Sequence, residues 1–267
     1  MKKNLMLYSL MFALSFAEVF ANADTLKLTS KPVYGKEASV VAFILDNNHY
    51  RKIKLNDSLS SAILDQYVIS LDNNKTYFTQ QELAMFEKYR FVIDDLTRQE
   101  NVSVAFEIYD VFQKRFHAQM DYVLNDLVKQ EFDYSVDEYY ETDRDKEPWC
   151  KNEAELNEVW RKLIKSQALS LKLAGKPQQE IEKMLTDRYE RFRKSISQFN
   201  SEDVFSLYMN SITESYDPHT NYFSPKAADL FKQNMSLSLE GIGARLQTDN
   251  DFTKVAEVIA GGPAHKS

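Results

Sequence analysis

The chain has 267 residues, 43% hydrophobic and 27% charged, with a formal net charge of −7. That is enough apolar material for a real core, and the acidic balance makes nucleic acid and anionic membrane surfaces poor partners. Cys150 is the single cysteine, so an internal disulfide and a thiolate metal cluster are excluded, and a half-buried free thiol is expected.

The first residues read as a targeting segment. Lys2 and Lys3 form a basic start, Leu5 to Phe16 is an apolar run too short to span a bilayer, and Ala21-Asn22-Ala23 supplies a small-x-small cleavage site. Residues 1–23 are therefore expected to be a signal peptide cut after Ala23, which leaves no stable membrane span. No cysteine follows the apolar run, which argues against a lipoprotein. Cleavage takes the formal charge from −7 to −8, because Lys2, Lys3 and Glu18 leave together.

From Lys36 to Asn234 the apolar residues recur at helical spacing. The clearest stripe runs after Asn101 through Ala105, Ile108, Phe112, Phe116, Met120, Val123 and Leu127, and predicts a helix of about seven turns. The acidic stretch "FDYSVDEYYETDRDKEPWC", residues 132–150, has no stable period and is expected to be an extended, solvated connection. Leu156, Val159, Trp160, Leu163, Ile164 and Leu171 mark the next helix, closed by Gly175, with Pro177 suited to the first turn of its successor. That successor carries Ile181, Leu185, Tyr189 and Ile196. Asn200-Ser201, with Glu202 and Asp203 following, predicts one more capped helix. These aromatic stripes are expected to pack the core of a mainly α domain spanning 24–235. The four histidines, His49, His117, His219 and His265, show no ligand spacing, and no metal or other cofactor is expected.

One pattern occurs twice. Asp72 in "LDNNKTYFTQ" and Asp217 in "YDPHTNYFSP" each stand five residues before an aromatic pair, Tyr77-Phe78 or Tyr222-Phe223, followed by Thr79 or Ser224. Thr79 to Glu82 reads as a capping box, and Ser224-Pro225 as an N-cap with proline at the first helical position. Both copies are expected to be corners between helices, turned by the aspartate and pinned by the rings.

Glycine then changes the pattern: Gly241, Gly243, Gly261 and Gly262 are four of the chain's six, all in the last 27 residues. Leu237, Leu239, Ile242, Ala244 and Leu246 are spaced for a strand, "TDND" for a turn, and Thr253 to Ile259 for a second strand, together a β-hairpin. On their own, Gly241 and Gly243 would be read as bending that strand.

"DPHTNYFSP" followed by "LSLEGIGARL" and "AGGPAHKS" resembles the C-terminal processing peptidases, and more closely their tail-specific protease branch. In that family a DPHT-x-Y-x-SP element precedes a PDZ domain that opens on EGIGA; Asn221 stands where serine is commoner. The resemblance is specific from Tyr216 to Ser267 and weaker over the upstream helices. It implies that 236–267 begin a PDZ domain whose remainder is missing, so the fold expected is an N-terminal helical domain followed by the first β-hairpin of an incomplete PDZ domain. It further implies a periplasmic location and a serine endopeptidase acting on the C-termini of unfolded or tagged proteins, with an adaptor protein possible. Gly241, Ile242, Gly243 and Ala244 would bind the substrate's terminal carboxylate through backbone amides. The family's serine nucleophile and lysine base lie beyond the PDZ domain, so no catalytic residue is nominated and no turnover is expected from these residues alone. Lys162 and Ser166 sit four apart on one helix, but on the face opposite Trp160 and Ile164, and are not expected to be a catalytic pair. Two readings stay open: the N-terminal part of such a protease, or a non-catalytic helical module that binds or scaffolds periplasmic proteins.

Overall fold

The computed structural model describes residues 27–236, 241–249 and 252–266. The expected signal peptide with its cleavage site, and Leu237, Leu239, Glu240, Asn250, Asp251 and Ser267 of the expected hairpin, lie outside the described residues. Among those described the protein is mainly α, with nine α-helices and one antiparallel hairpin.

The helices are α1 (Pro32–Asn48), α2 (Asp57–Leu71), α3 (Gln80–Phe86), α4 (Ile93–Arg98), α5 (Ser103–Asn125), α6 (Glu153–Leu173), α7 (Gln178–Ser197), α8 (Ser201–Tyr216) and α9 (Pro225–Met235). Short polar side chains start several of them. Asn56 accepts from the Leu59 amide at 3.0 Å and Asn152 from that of Glu155 at 3.1 Å. Thr79 with Glu82 and Asn200 with Asp203 form capping boxes. Each satisfies backbone donors that a helix end otherwise leaves open.

Helix α6 ends as its sequence suggests. Gly175 takes φ +82°, its amide reaches Lys172 O at 2.9 Å, and the Lys176 amide reaches Leu171 O at 3.2 Å. This is the paired bonding that a left-handed glycine allows. Pro177 differs from expectation, because it is the N-cap of α7, outside the first turn, and its carbonyl accepts the Ile181 amide at 3.0 Å. Helix α5 is also shorter than its stripe. It has 23 residues, about six turns, and Leu127 falls in a 3-10 turn at Leu127–Lys129.

Helix α2 packs on α8 and α4, α5 on α7 and α8, and α6 on α7. Tyr67, Tyr109, Phe116, Phe205 and Tyr208 are fully buried where these helices meet. Tyr67 meets Tyr208 edge to face at 5.3 Å, and its hydroxyl donates to Ala105 O at 2.9 Å. Tyr67 is thus accommodated without an orphaned donor, whereas the buried hydroxyls of Tyr109 and Tyr208 have no hydrogen-bond partner among the described residues.

Helix α1 comes close enough to a backbone to require a glycine. A Cβ on Gly35 would stand 1.8 Å from the carbonyl oxygen of Glu100, in the turn between α4 and α5. Intrinsic helix propensity favours alanine over glycine by about 1 kcal/mol, but a clash with a backbone atom can be relieved only by moving α1. Gly35→Ala should therefore lower stability by about 2 kcal/mol, read as a fall in the urea midpoint. An unchanged or raised midpoint would show that α1 shifts freely on its neighbours.

The hairpin pairs β1 (Ala244–Asp249) with β2 (Phe252–Val258), with a register irregularity between Arg245 and Leu246. Ile242, expected within the first strand, precedes it.

Candidate functional site

The four expected carboxylate-binding residues lie together at the start of the hairpin. Gly241 and Ile242 are exposed, while Gly243 is buried. Gly243 adopts φ +75°, and a Cβ there would stand 2.8 Å from both the nitrogen and Cδ of Pro263. Its carbonyl accepts the Ile259 amide at 2.8 Å, and the Ile242 carbonyl accepts that of Ala264 at 2.9 Å. The first glycine turn is thereby locked against Gly262-Pro263, which only a residue without a side chain permits. The Ile259 bond also makes Ala244–Val258 a non-hydrogen-bonded pair, so the Ala244 amide points away from β2. The arrangement offers a rigid turn with an outward-directed donor.

The two corners share spacing but not chemistry. Asp72 is 2% exposed and caps the C-terminus of α2. Its carboxylate accepts the amides of Thr76 (2.8 Å), Tyr77 (2.8 Å) and Phe78 (2.9 Å). Burial pushes the Asp72 carboxyl above its usual range, and the three amides and the Thr76 hydroxyl draw it part of the way back. Asp217 takes other partners. It holds the ring of His219 at 3.3 Å and the hydroxyl of Thr220 at 3.5 Å, while the Tyr222 amide goes to Asn210 Oδ1 on α8 at 2.8 Å. The expectation that both aspartates turn the backbone holds for Asp72 across its whole loop, whereas Asp217 engages only its near neighbours, His219 by ring and backbone, and does not reach the aromatic pair. The rings divide likewise. Tyr77 and Phe78 are buried, whereas Phe223 is 48% exposed and stacks on Phe231 of α9 at 5.2 Å.

The acidic connection is also more than a solvated surface. Arg144 is buried and donates to Asn74 O at 3.1 Å, and Lys75 of the first corner donates to Asp145 O and Glu147 O at 2.6 and 2.7 Å. Gln80 donates its amide to Cys150 O at 2.8 Å, closing a parallel bridge between Thr79 and Cys150. Cys150 is consequently 5% exposed, buried and not half-buried. No local pattern in 132–150 signals these bonds, because their partners lie about seventy residues away.

Lys162 and Ser166 both line a cleft of about 540 Å³ between the connection and α6. Lys162 stands 3.9 Å from the Glu158 carboxylate, an ion pair on its own helix.

Comparison with known proteins agrees with the sequence pattern. A family model described as the tail-specific protease N-terminal domain matches residues 40–226. A tail-specific protease of Haemophilus influenzae is 36% identical over 276 aligned residues, which take in 100% of this chain and 40% of that protein. The chain spans less than half the length of this curated relative. The capped helical bundle, its two corners and these matches together place the chain in the tail-specific protease family, of which it carries the N-terminal domain.

Proposed function

We propose that the chain is the N-terminal part of a periplasmic serine endopeptidase that recognises proteins by their C-termini, with residues 236–267 opening a PDZ domain. What carries the reading is the match to a protein named tail-specific protease over the whole chain, beside a glycine turn with an outward-facing amide at Ala244. In this reading residues 1–23 direct export and are removed, and the catalytic serine and lysine belong to a longer chain. Gly241, Ile242, Gly243 and Ala244 form the loop whose backbone amides meet the substrate's terminal carboxylate, while the substrate strand adds along the hairpin edge.

The test is a titration of a labelled peptide with an apolar C-terminus, and of its amidated twin, into the 267-residue chain and into a longer chain carrying a complete PDZ domain. The longer chain should bind the free carboxylate at least about tenfold more tightly than the amide, and the shorter one should bind neither strongly. Equal binding of the two peptides by the longer chain would rule out carboxylate recognition.

A further inference from the structure

The cleft between the connection and α6 collects groups that the proposed function leaves unused. Lys162, Ser166 and Leu169 recur at helical spacing along one face of α6, and residues 134–140 of the connection line the cleft with them. Glu138 fastens the connection there, since its carboxylate accepts from Arg161 and from Lys165 of α6, each at 2.5 Å. That fastening leaves one cation over. Arg161 also holds both oxygens of Glu158, each at 2.8 Å. Lys162 stands 3.9 Å from the same carboxylate, beyond hydrogen-bond reach, and no acceptor meets its ammonium among the described residues. The carbonyl of Ser166, one turn further along, takes the Ser170 hydroxyl, but among the described residues its own hydroxyl has no partner.

We propose that this cleft binds a carboxylate carried on a branched apolar body, as at the C-terminus of a short peptide or in a simple carboxylic acid. Lys162 and Ser166 hold the carboxylate, and Val136, Tyr139 and Leu169 receive the apolar part. The walls suit that division. Val136 is 51% and Tyr139 85% exposed, Leu169 is half-buried, and a ligand covering them removes apolar surface from water. A volume of about 540 Å³ lies within the range of small-ligand sites.

Charge sets the class of ligand. One ammonium without an acceptor matches one negative charge, and a charge-assisted hydrogen bond is the stronger kind. Asp137 is exposed on the same cleft, has no ion-pair partner among the described residues, and with Glu138 opposes a second negative charge. Phosphates and polyanions are therefore disfavoured. The cleft shares no residue with Gly241–Ala244, so this site stands or falls apart from carboxylate recognition by a PDZ domain. A single ion pair and a single side chain carry the affinity, which should be in the millimolar range.

The test is a titration of N-acetyl-Leu-Leu into the 267-residue chain, followed by heteronuclear NMR, beside its C-terminal amide and beside isocaproate. The free acid should shift the amide signals of residues 134–140 and 162–169 saturably, and the amide should bind at least about tenfold more weakly. Isocaproate distinguishes the two sources: binding equal to that of the peptide acid assigns the site to simple carboxylic acids, weaker binding assigns it to peptides, and both uphold the carboxylate. Lys162→Gln should lose at least about tenfold in affinity and Ser166→Ala about threefold, while Lys183→Gln, on α7, should bind as the parent does. Circular dichroism checks that each variant folds, and if Lys162→Gln does not, the acid-against-amide comparison and Ser166→Ala decide. No saturable shift up to about 10 mM, equal binding of acid and amide, unchanged affinity in Lys162→Gln, or shifts confined to the hairpin would overturn the proposal.

Discussion

Asp72→Ala should destabilise the bundle by about 3 to 5 kcal/mol, whereas Asp217→Ala, at the matching place in the sequence pattern, should cost less than about 1 kcal/mol. The difference comes from what each deletion leaves behind. Without Asp72 three backbone amides, at Thr76, Tyr77 and Phe78, lose their acceptor in a corner whose carboxylate is 2% exposed. A hydrogen bond to a charged group contributes more than a neutral one, and a buried donor without a partner costs its full desolvation. Asp72 also lines an open cleft of about 510 Å³, so water can enter and recover part of the loss, which is why the estimate stays below three complete penalties. Asp217→Ala releases an exposed histidine ring and a threonine hydroxyl, both within reach of solvent, while Asn210 still holds the Tyr222 amide. Urea denaturation of the two variants beside the parent is the measurement. Equal shifts of the midpoint would mean that the corners do the same work after all.

The second large effect is expected at the aromatic residue of the same corner. Tyr77 is 8% exposed, with ring centroids at 5.4 Å from Phe112, 5.5 Å from Phe116 and 5.7 Å from Trp160. Trp160 itself donates its indole N–H to Thr76 O at 2.7 Å, so the ring cluster and the corner backbone support each other. Removing a buried aromatic side chain costs about 3 to 5 kcal/mol through lost transfer energy and the cavity left behind. Tyr77→Ala should lower the urea midpoint accordingly, by about 1.5 M. Tyr222→Ala should cost about half as much, because its ring is only partly buried: it meets Phe205 at 5.6 Å, and its hydroxyl donates to the half-buried Glu37 at 3.2 Å. A larger loss at Tyr222 than at Tyr77 would show that the second corner supports the bundle more than its exposure suggests.

Much of the fold was legible because the signals that specify helices are local. The stripes along α5 and α6, the capping box at Thr79, the cap at Asn200, the proline after Ser224 and the glycine ending α6 all act within a turn or two of their own positions. Pro177 shows the limit even there, since proline suits both the N-cap and the first turn, and the sequence does not separate two neighbouring positions. The candidate loop was legible in part. Its glycines announce unusual backbone, but the requirement at Gly243 is set by Pro263, which approaches it only after the hairpin has closed.

By itself the sequence determined a mainly α bundle, several of its helix caps, the position of two corners and the family to which they point. Only the tertiary structure decided that the corners differ: the loop over Asp72 is held by Arg144, Trp160 and the strand-like contact at Cys150, while Asp217, partly buried, bonds within its own turn and leaves the Tyr222 amide to Asn210. The physical reason is that spacing fixes which groups a turn can present, whereas the solvent around those groups and the partners that meet them come from segments far away in the chain. The same aspartate-aromatic pattern is consequently a buried keystone in one place and a half-open joint in the other.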